Sequence, residues 1–348
     1  MSEIELVFRS NMDEHINKIK EKYPDIKFYS YSKLGNFNQC KKGYYYTYID
    51  KKVQKPSVYT ELGTAAHTTL EDLYDGKVDK LDKALFDNEF KKCELFGIDF
   101  PKSKYDIKGG YYKDISAFYD IYNHIEAKEG DKFISELGFI LILNEKSALM
   151  GYIDLLILHN DNTCEIVDFK TSADFDKKKV IEAARQLILY ALAMEQLYGL
   201  KVNTVSWEML KYVSVQVGNY KRKEGIRGRE WVEKCSTQIK ALMKKKNYDP
   251  GLIDMYVALA INNNSIDGLP DDIKSEIKVN TYRRFFDITE EAKKEFYEYT
   301  LSSIENINKM LNKKEEEWIC EVDNFFCINL CVFYPKHCNP ALSTSNKI

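Results

Sequence analysis

No stretch of the 348-residue chain approaches the roughly 20 consecutive apolar residues that a membrane-spanning helix needs. The opening MSEIELVFRSNMDEHINKIKEK is charged where a secretory leader would be apolar. These absences lead to the expectation of a soluble, cytoplasmic protein. A large excess of charge is also lacking: 51 basic against 54 acidic side chains leave a net charge of −3. Attraction of the whole molecule to a polyanion is therefore not indicated, and any such contact must be local. No Gly-x-x-x-x-Gly-Lys-Ser/Thr phosphate loop occurs, so a partner must supply strand separation if the function requires it. Neither an internal repeat nor a long low-complexity stretch is present. With 44% hydrophobic residues the chain can bury a substantial core.

What is there begins with GYIDLLILHNDNTCEIVDFKTS at 151–172. Two apolar β-like runs flank the polar turn His159-Asn160-Asp161-Asn162, the pattern of an antiparallel hairpin. Side chains alternate along a strand, so Ile166, Asp168 and Lys170 share one face. A loop from His159 to Thr163 sets Asp154 across from Asp168, with Cβ atoms ~5 Å apart. Two carboxylates that close repel, and a bound divalent cation, a shared proton or a different register must relieve the repulsion. A lysine beside such a cation suits chemistry on a phosphate. The alternative, an exposed ribbon of solvated charges, conflicts with Leu155, Leu156, Ile157, Leu158, Ile166, Val167 and Phe169. Glu165 alternates away from Asp168 and falls outside the pair.

Around this hairpin the patterns predict helices at 12–22, from Ser32 as N-cap through Leu34, Phe37 and Cys40, and from Glu61 to Gly76. Strands are expected at 133–144, 202–217 and 281–287, an amphipathic helix over 174–199, and a long helix over 289–312. Strand, hairpin, helix, strand gives a mixed α/β sheet flanked by helices. Residues 77–132 read as a helical insertion and 218–278 as a polar one.

On the helix after Gly63, His67 and Glu71 lie four apart on one face, as do Gln186 and Tyr190 on the helix after Lys170. Basic clusters stand at Lys221-Arg222-Lys223 with Arg227 and Arg229, at Lys244-Lys245-Lys246, and at Arg283-Arg284. Each reads either as a solvated face or as part of a nucleic-acid path. Of eight cysteines, Cys93, Cys164 and Cys235 are scattered, while Cys320, Cys327, Cys331 and Cys338 crowd toward the C-terminal end. In a chain without an export signal that density calls for metal rather than disulfides.

Taken in order, His67 with Glu71, Gly151-x-x-Asp154, Asp168-x-Lys170-Thr171 and Gln186-x-x-x-Tyr190 resemble the motif set of RecB-type nucleases in the PD-(D/E)XK superfamily. SYSKLGNFNQC near the N-terminus is similar to the opening of exonucleases in that group, which include the AddB nuclease domain and the CRISPR-associated adaptation nucleases. The resemblance runs from about Tyr29 to Cys338, insertions aside, and implies a restriction-endonuclease-like fold in a single domain over 1–348. Its core would lie at about 29–76 and 133–217, with the C-terminal helix and cysteines at 289–338.

The resemblance further implies a metal-dependent DNA exonuclease acting on single strands or frayed ends in recombination, repair or replication. Asp154, Asp168, His67 and the Phe169 carbonyl would hold Mg2+ or Mn2+. Lys170, Gln186 and Tyr190 would complete the catalytic set, Glu71 would orient His67, and Lys221, Arg222, Lys223, Arg283 and Arg284 would meet DNA. Cys40 with Cys327, Cys331 and Cys338 would bind a 4Fe-4S cluster that joins the chain ends, and Cys320 is an additional ligand candidate. Each interval in the C-terminal trio is one residue longer than the family's usual spacing, and Lys41 stands where proline is frequent, which keeps zinc as the alternative. A structure-specific or restriction-like endonuclease, and a catalytically reduced DNA-binding subunit of a helicase or recombination complex, are the other readings. Richness in lysine, asparagine and tyrosine accords with an AT-rich bacterial or phage genome.

Overall fold

The structure, a computed structural model, describes residues 6–122, 124–126, 128–176, 179–320, 322 and 324–338. Among them seven strands form one mixed sheet: β1 (Lys27–Tyr29), β2 (Lys132–Asn144), β3 (Ser147–Leu158), β4 (Thr163–Lys170), β5 (Lys201–Val217), β6 (Lys223–Arg227) and β7 (Ile277–Phe286). Twelve α-helices surround it: α1 (Met12–Lys22), α2 (Tyr31–Gln39), α3 (Lys41–Tyr44), α4 (Val58–Tyr74), α5 (Ala84–Leu95), α6 (Ile107–Ile121), α7 (Lys179–Tyr198), α8 (Trp231–Lys245), α9 (Pro250–Asn263), α10 (Asp271–Lys274), α11 (Glu290–Met310) and α12 (Asn324–Asn329). The architecture is the mixed α/β sheet expected, consistent with a restriction-endonuclease-like fold. No helix among the described residues is long and apolar enough to cross a membrane.

β3 is the organising strand. One edge pairs antiparallel with β2; the other pairs parallel with β1 at Ser147–Leu149 and antiparallel with β4 at Leu155–Leu158. The β3–β4 register, Leu155 opposite Val167 through Leu158 opposite Cys164, is the one the HNDN turn dictates, and the His159 N–H donates to the Thr163 carbonyl at 2.9 Å to close it. α7 then carries the chain to β5, which lies parallel to β4, the crossover expected of adjacent parallel strands.

Both faces of the sheet are covered. α2, α7 and α11 bury one around Leu187, Ile188, Trp207 and Phe296. Each fully buried aliphatic side chain there contributes about 1.5–3 kcal/mol. α4, α5 and α6 bury the other around Leu62, Leu70, Phe86 and Ile115.

Several local expectations are corrected. The N-cap of α2 is Ser30, whose Oγ accepts from the Lys33 N–H at 3.1 Å; Ser32 lies inside the first turn. Cys40 is not on that helix but at its junction with α3. α4 begins at Val58, ahead of Glu61, because Val58 and Leu62 both enter the core. α7 starts at Lys179, not at Asp174. Residues 218–278 are not simply a polar insertion: they add β6 to the sheet, and Trp231, Val232, Ile239, Ile253 and Val257 of α8 and α9 bury a core of their own against β5.

The N- and C-terminal segments meet. The Lys42 N–H donates to the Ile319 carbonyl at 3.2 Å and the Lys55 N–H to Val332 at 3.0 Å. Trp318, 2% exposed, stacks on Tyr44 at 6.0 Å between ring centroids.

Candidate active site

The ladder between β3 and β4 ends at Leu155 and Val167, and there the two strands fork. One residue further, the Phe169 N–H donates to the Asp154 carboxylate, Oδ2, at 2.7 Å. Asp168, from the same turn of strand, is 1% exposed. Its Oδ2 lies 2.6 Å from Lys170 Nζ in an ion pair and has no other hydrogen-bond partner among the described residues. Lys170 Nζ also donates to Gln186 Oε1 at 2.9 Å, and Gln186 Nε2 donates to the Tyr190 hydroxyl at 2.6 Å. α7 presents Gln186 and Tyr190 one turn apart, so together they brace the lysine from one side. From α4, His67 Nδ1 comes to 3.6 Å from Asp154 Oδ2, beyond hydrogen-bonding range.

The electrostatics follow from this crowding. Burial, reinforced by the charge on Asp168, pushes the Asp154 pKa well above the usual carboxylate range. Burial works to lower the Lys170 pKa, but Asp168 and Asp154 together hold it above the ordinary lysine value. Burial lowers His67, against the pull of Asp168, and favours the neutral imidazole that binds metal. Burial, then the two aspartates, raises Tyr190 far above an ordinary phenol, so it stays protonated.

Among the described residues no three His, Cys, Asp or Glu side chains are already gathered in metal-holding geometry. The donor set is nonetheless suited to a divalent ion. Two carboxylates and an imidazole lie close together, and a buried Asp168 oxygen has no hydrogen-bond partner beyond its ion pair with Lys170.

One acidic residue escaped the sequence analysis. Glu136 lies on β2 between Ser135, which pairs with Leu155, and Leu137, which pairs with Ile153, and so stands opposite Asp154. Its backbone adopts φ +47°, a left-handed conformation costing about 1–2 kcal/mol for a residue with a Cβ. Its carboxylate pairs with Arg9, whose guanidinium stacks 4.6 Å from the Tyr152 ring centroid. The available signal was an acid inside the apolar run FISELGFILIL. Glu136 and Asp154 line a groove of about 700 Å³ together with Tyr31, Ser32, Lys33 and Gln186. A separate cavity of about 470 Å³, lined by Glu195, Asn203 and Lys293, lies apart from this chemistry.

Other candidate residues have different company. Glu71 is 4.0 Å from Lys77 Nζ, and no hydrogen bond among the described residues joins it to His67; the Phe169 backbone contacts that ring instead. Glu165 faces His159 Nε2 at 3.4 Å, away from the fork, as alternation requires. Arg283 Nε donates to the buried Glu208 carboxylate at 3.2 Å, and Arg284 pairs with Asp174 at 2.5 Å. Arg222 donates to Ser214 Oγ at 2.6 Å, Lys223 to the Lys234 carbonyl, and Lys221 is exposed.

Residues 29–318 match the family described as the PD-(D/E)XK nuclease superfamily. The chain belongs to that superfamily. No curated protein matches it. Within the matched range, Asp154, Asp168 and Lys170 lie together at the fork of β3 and β4.

The cysteines of this superfamily member also gather. Cys320 Sγ is 3.8 Å from Cys40 Sγ and 3.6 Å from Cys327 Sγ. Cys331 and Cys338 are close enough to influence the same thiols. Cys320, which spacing left as an additional candidate, is thus in direct contact with two of the others. Burial pushes Cys40 up to about 11, and burial with the neighbouring thiols pushes Cys327 and Cys338 up to about 12.

Proposed function

We propose that this PD-(D/E)XK nuclease is a metal-dependent DNA exonuclease acting on single strands or frayed ends, within a single domain over 1–348. The observation that carries the reading is the fork itself. Lys170 is held between the Asp168 carboxylate and the Gln186 amide, beside Asp154 and His67.

His67, Asp154, Asp168 and the Phe169 carbonyl would hold Mg2+ or Mn2+. When bound, the ion supplies an acidified water and neutralises charge on the scissile phosphate. The chain's own part is positional. Lys170 places a permanent positive charge where the phosphorane charge develops. Gln186 fixes the ammonium against swinging away, Tyr190 fixes Gln186, and the Phe169 N–H fixes Asp154. Tyr31 and Tyr152, half-buried around the groove, offer faces on which unpaired bases can stack.

The test is hydrolysis of linear and circular single-stranded DNA with Mg2+ or Mn2+. The linear substrate is expected to shorten from an end and the circle to survive; cutting of the circle would replace this reading with an endonuclease. Asp168→Ala and Lys170→Ala are each expected to abolish activity while the protein stays folded. Wild-type rates in either would remove the mechanism.

The contacts of Cys320 with Cys40 and Cys327, with Cys331 and Cys338 near the same thiols, support a metal centre that ties the N-terminal segment to the C-terminal one, with a 4Fe-4S cluster as the leading occupant and zinc as the alternative. Sulfurs 3.6 and 3.8 Å apart also suit thiolates sharing one tetrahedral zinc at roughly 2.3 Å each. Anaerobically purified protein is expected to be brown and to contain iron and sulfide. Colourless protein with stoichiometric zinc would install the alternative.

A further inference from the structure

Beyond the end of β4, on the α6 side of the sheet, two arginines share one carboxylate beside a buried lysine. Asp114 of α6 is 1% exposed. Its Oδ1 accepts from the Arg229 backbone N–H at 3.0 Å, and its Oδ2 meets Arg229 Nη1 at 3.1 Å and Arg227 Nη1 at 3.3 Å. Each guanidinium spends only Nη1 on this contact, and among the described residues its other side-chain donors have no hydrogen-bond acceptor. Lys211 of β5 is 8% exposed, and among the described residues no acceptor or carboxylate partners its ammonium. Its Nζ lies 5.2 Å from the centroid of the Tyr111 ring. Buried charges are as a rule paired, and here the third cation is not.

The cluster is built into the fold. A Cβ on Gly110 would collide with the Arg229 guanidinium, and one on Gly228 would stand 2.9 Å from both the Asp114 carbonyl and Ala117 Cβ. Glycine at these two positions lets the turn after β6 press onto α6. The helix accepts a glycine in its first turn, where alanine would favour the helix more, to seat an arginine. Arg227 is held further by the Tyr212 ring, 4.6 Å from its guanidinium carbon.

The position is telling. Lys170 pairs with Met209, so Lys211 lies two residues further along β5. The Tyr111 hydroxyl is directed at Thr171, the residue after Lys170, without reaching hydrogen-bonding geometry.

We infer that Lys211, Arg227 and Arg229 form a phosphate-binding site that holds the nucleic-acid strand next to the fork. The site rests on the nuclease reading and adds to it where a second phosphate is gripped. An incoming phosphate supplies the counter-charge that Asp114 alone does not, and the free guanidinium donors match its oxygens. Burial, then Arg227, brings the Lys211 pKa down to about 8, against Asp114 and with Arg229, the signature of a cation short of partners.

The test uses full-length protein in EDTA and a fluorescent single-stranded oligonucleotide, titrated at several salt concentrations. Arg229→Gln and Lys211→Met are each expected to weaken binding several-fold and to lower the log–log salt slope by about 0.7, one phosphate contact on a single strand. Lys211→Met is also expected to melt at a higher temperature, whereas a merely structural lysine would lower it. Oligonucleotides with and without a 5′-phosphate separate the sources: equal losses mean an internal phosphodiester, and a loss confined to the phosphorylated strand means a terminal phosphate. Wild-type binding with unchanged slopes in both variants overturns this site and leaves the nuclease reading intact. Absence of wild-type binding overturns the nuclease reading and this site with it.

Discussion

The Phe169 backbone N–H donates to Asp154 Oδ2 at 2.7 Å, so a carboxylate on one strand is fastened to the backbone between the other two residues of the site. The bond fills the place where the next rung of the β3–β4 ladder would fall, and it holds the strands apart by a side chain. It also keeps Asp154 close to the negative charge of Asp168 in a buried setting, an arrangement that is useful for gripping a cation and unfavourable without one. Metal-free Asp154→Asn keeps an acceptor for Phe169 and loses the repulsion. It is expected to be more stable by about 1 kcal/mol, on the order of 1–2 °C in Tm, while losing activity. Thermal melts in EDTA check this, and a lower Tm would show that the carboxylates are not in conflict.

Gln186 stands between Lys170 and Tyr190 as the middle of a chain of hydrogen bonds. Removing the middle frees the lysine, whereas removing the phenol hydroxyl only loosens the amide. Gln186→Leu is expected to lower kcat about a hundredfold with little change in KM. Tyr190→Phe should lower it about fivefold, the worth of roughly one hydrogen bond. Steady-state kinetics on one oligonucleotide decide it; equal effects would mean that Tyr190 acts on the substrate directly.

Much of this was legible in the sequence because it is local. The HNDN turn admits one short loop, the loop fixes the register, and the register places Asp154 and Asp168 together; alternation then turns Lys170 in and Glu165 out. Glu136 was not legible because its position depends on how β2 pairs with β3, a contact the local pattern does not specify. The core of α8 and α9 was hidden by composition: lysines and asparagines on the outer faces made 218–278 look polar, although Val232, Cys235 and Ile239 on α8 and Ile253, Val257 and Ala260 on α9 each repeat at helical spacing. Cys320 was underrated because spacing within the C-terminal trio says nothing about which thiol meets Cys40 across the fold.

His67 offers a nitrogen to an otherwise oxygen donor set, and Mg2+ prefers oxygen throughout whereas Mn2+ accepts imidazole readily. Activity is therefore expected to be higher with Mn2+ than with Mg2+, and His67→Ala should narrow the difference while lowering both rates. Equal wild-type rates with the two ions would remove His67 from the ligands.

Lys211 gives the protein a pH signature. Its folded pKa, about 8, lies below the ordinary 10.5, so between those values the unfolded chain binds more protons than the folded one. Stability from this group therefore rises with pH across that window, and the cost of the charged form is fully present below about pH 8. The stability advantage of Lys211→Met over wild type should be largest at pH 7 and shrink toward pH 10. Melting curves of both proteins at matched pH values test it, and a constant difference would place the Lys211 ammonium in contact with an acceptor.

The cysteine centre makes a prediction about folding rather than chemistry. Cys40 precedes α3, while Cys320, Cys327, Cys331 and Cys338 follow α11, so a metal shared among them closes a loop containing most of the chain. Metal binding of this kind is folding free energy. The packing of Trp318 on Tyr44 and the hydrogen bonds at Lys42 and Lys55 already bring the segments together, so the metal locks an interface that exists. Cys331→Ala is expected to lower Tm by several degrees and to release the metal, with the remaining folded fraction cleaving DNA at close to the wild-type rate. Loss of rate without loss of stability would move these cysteines from holding the fold to taking part in the reaction.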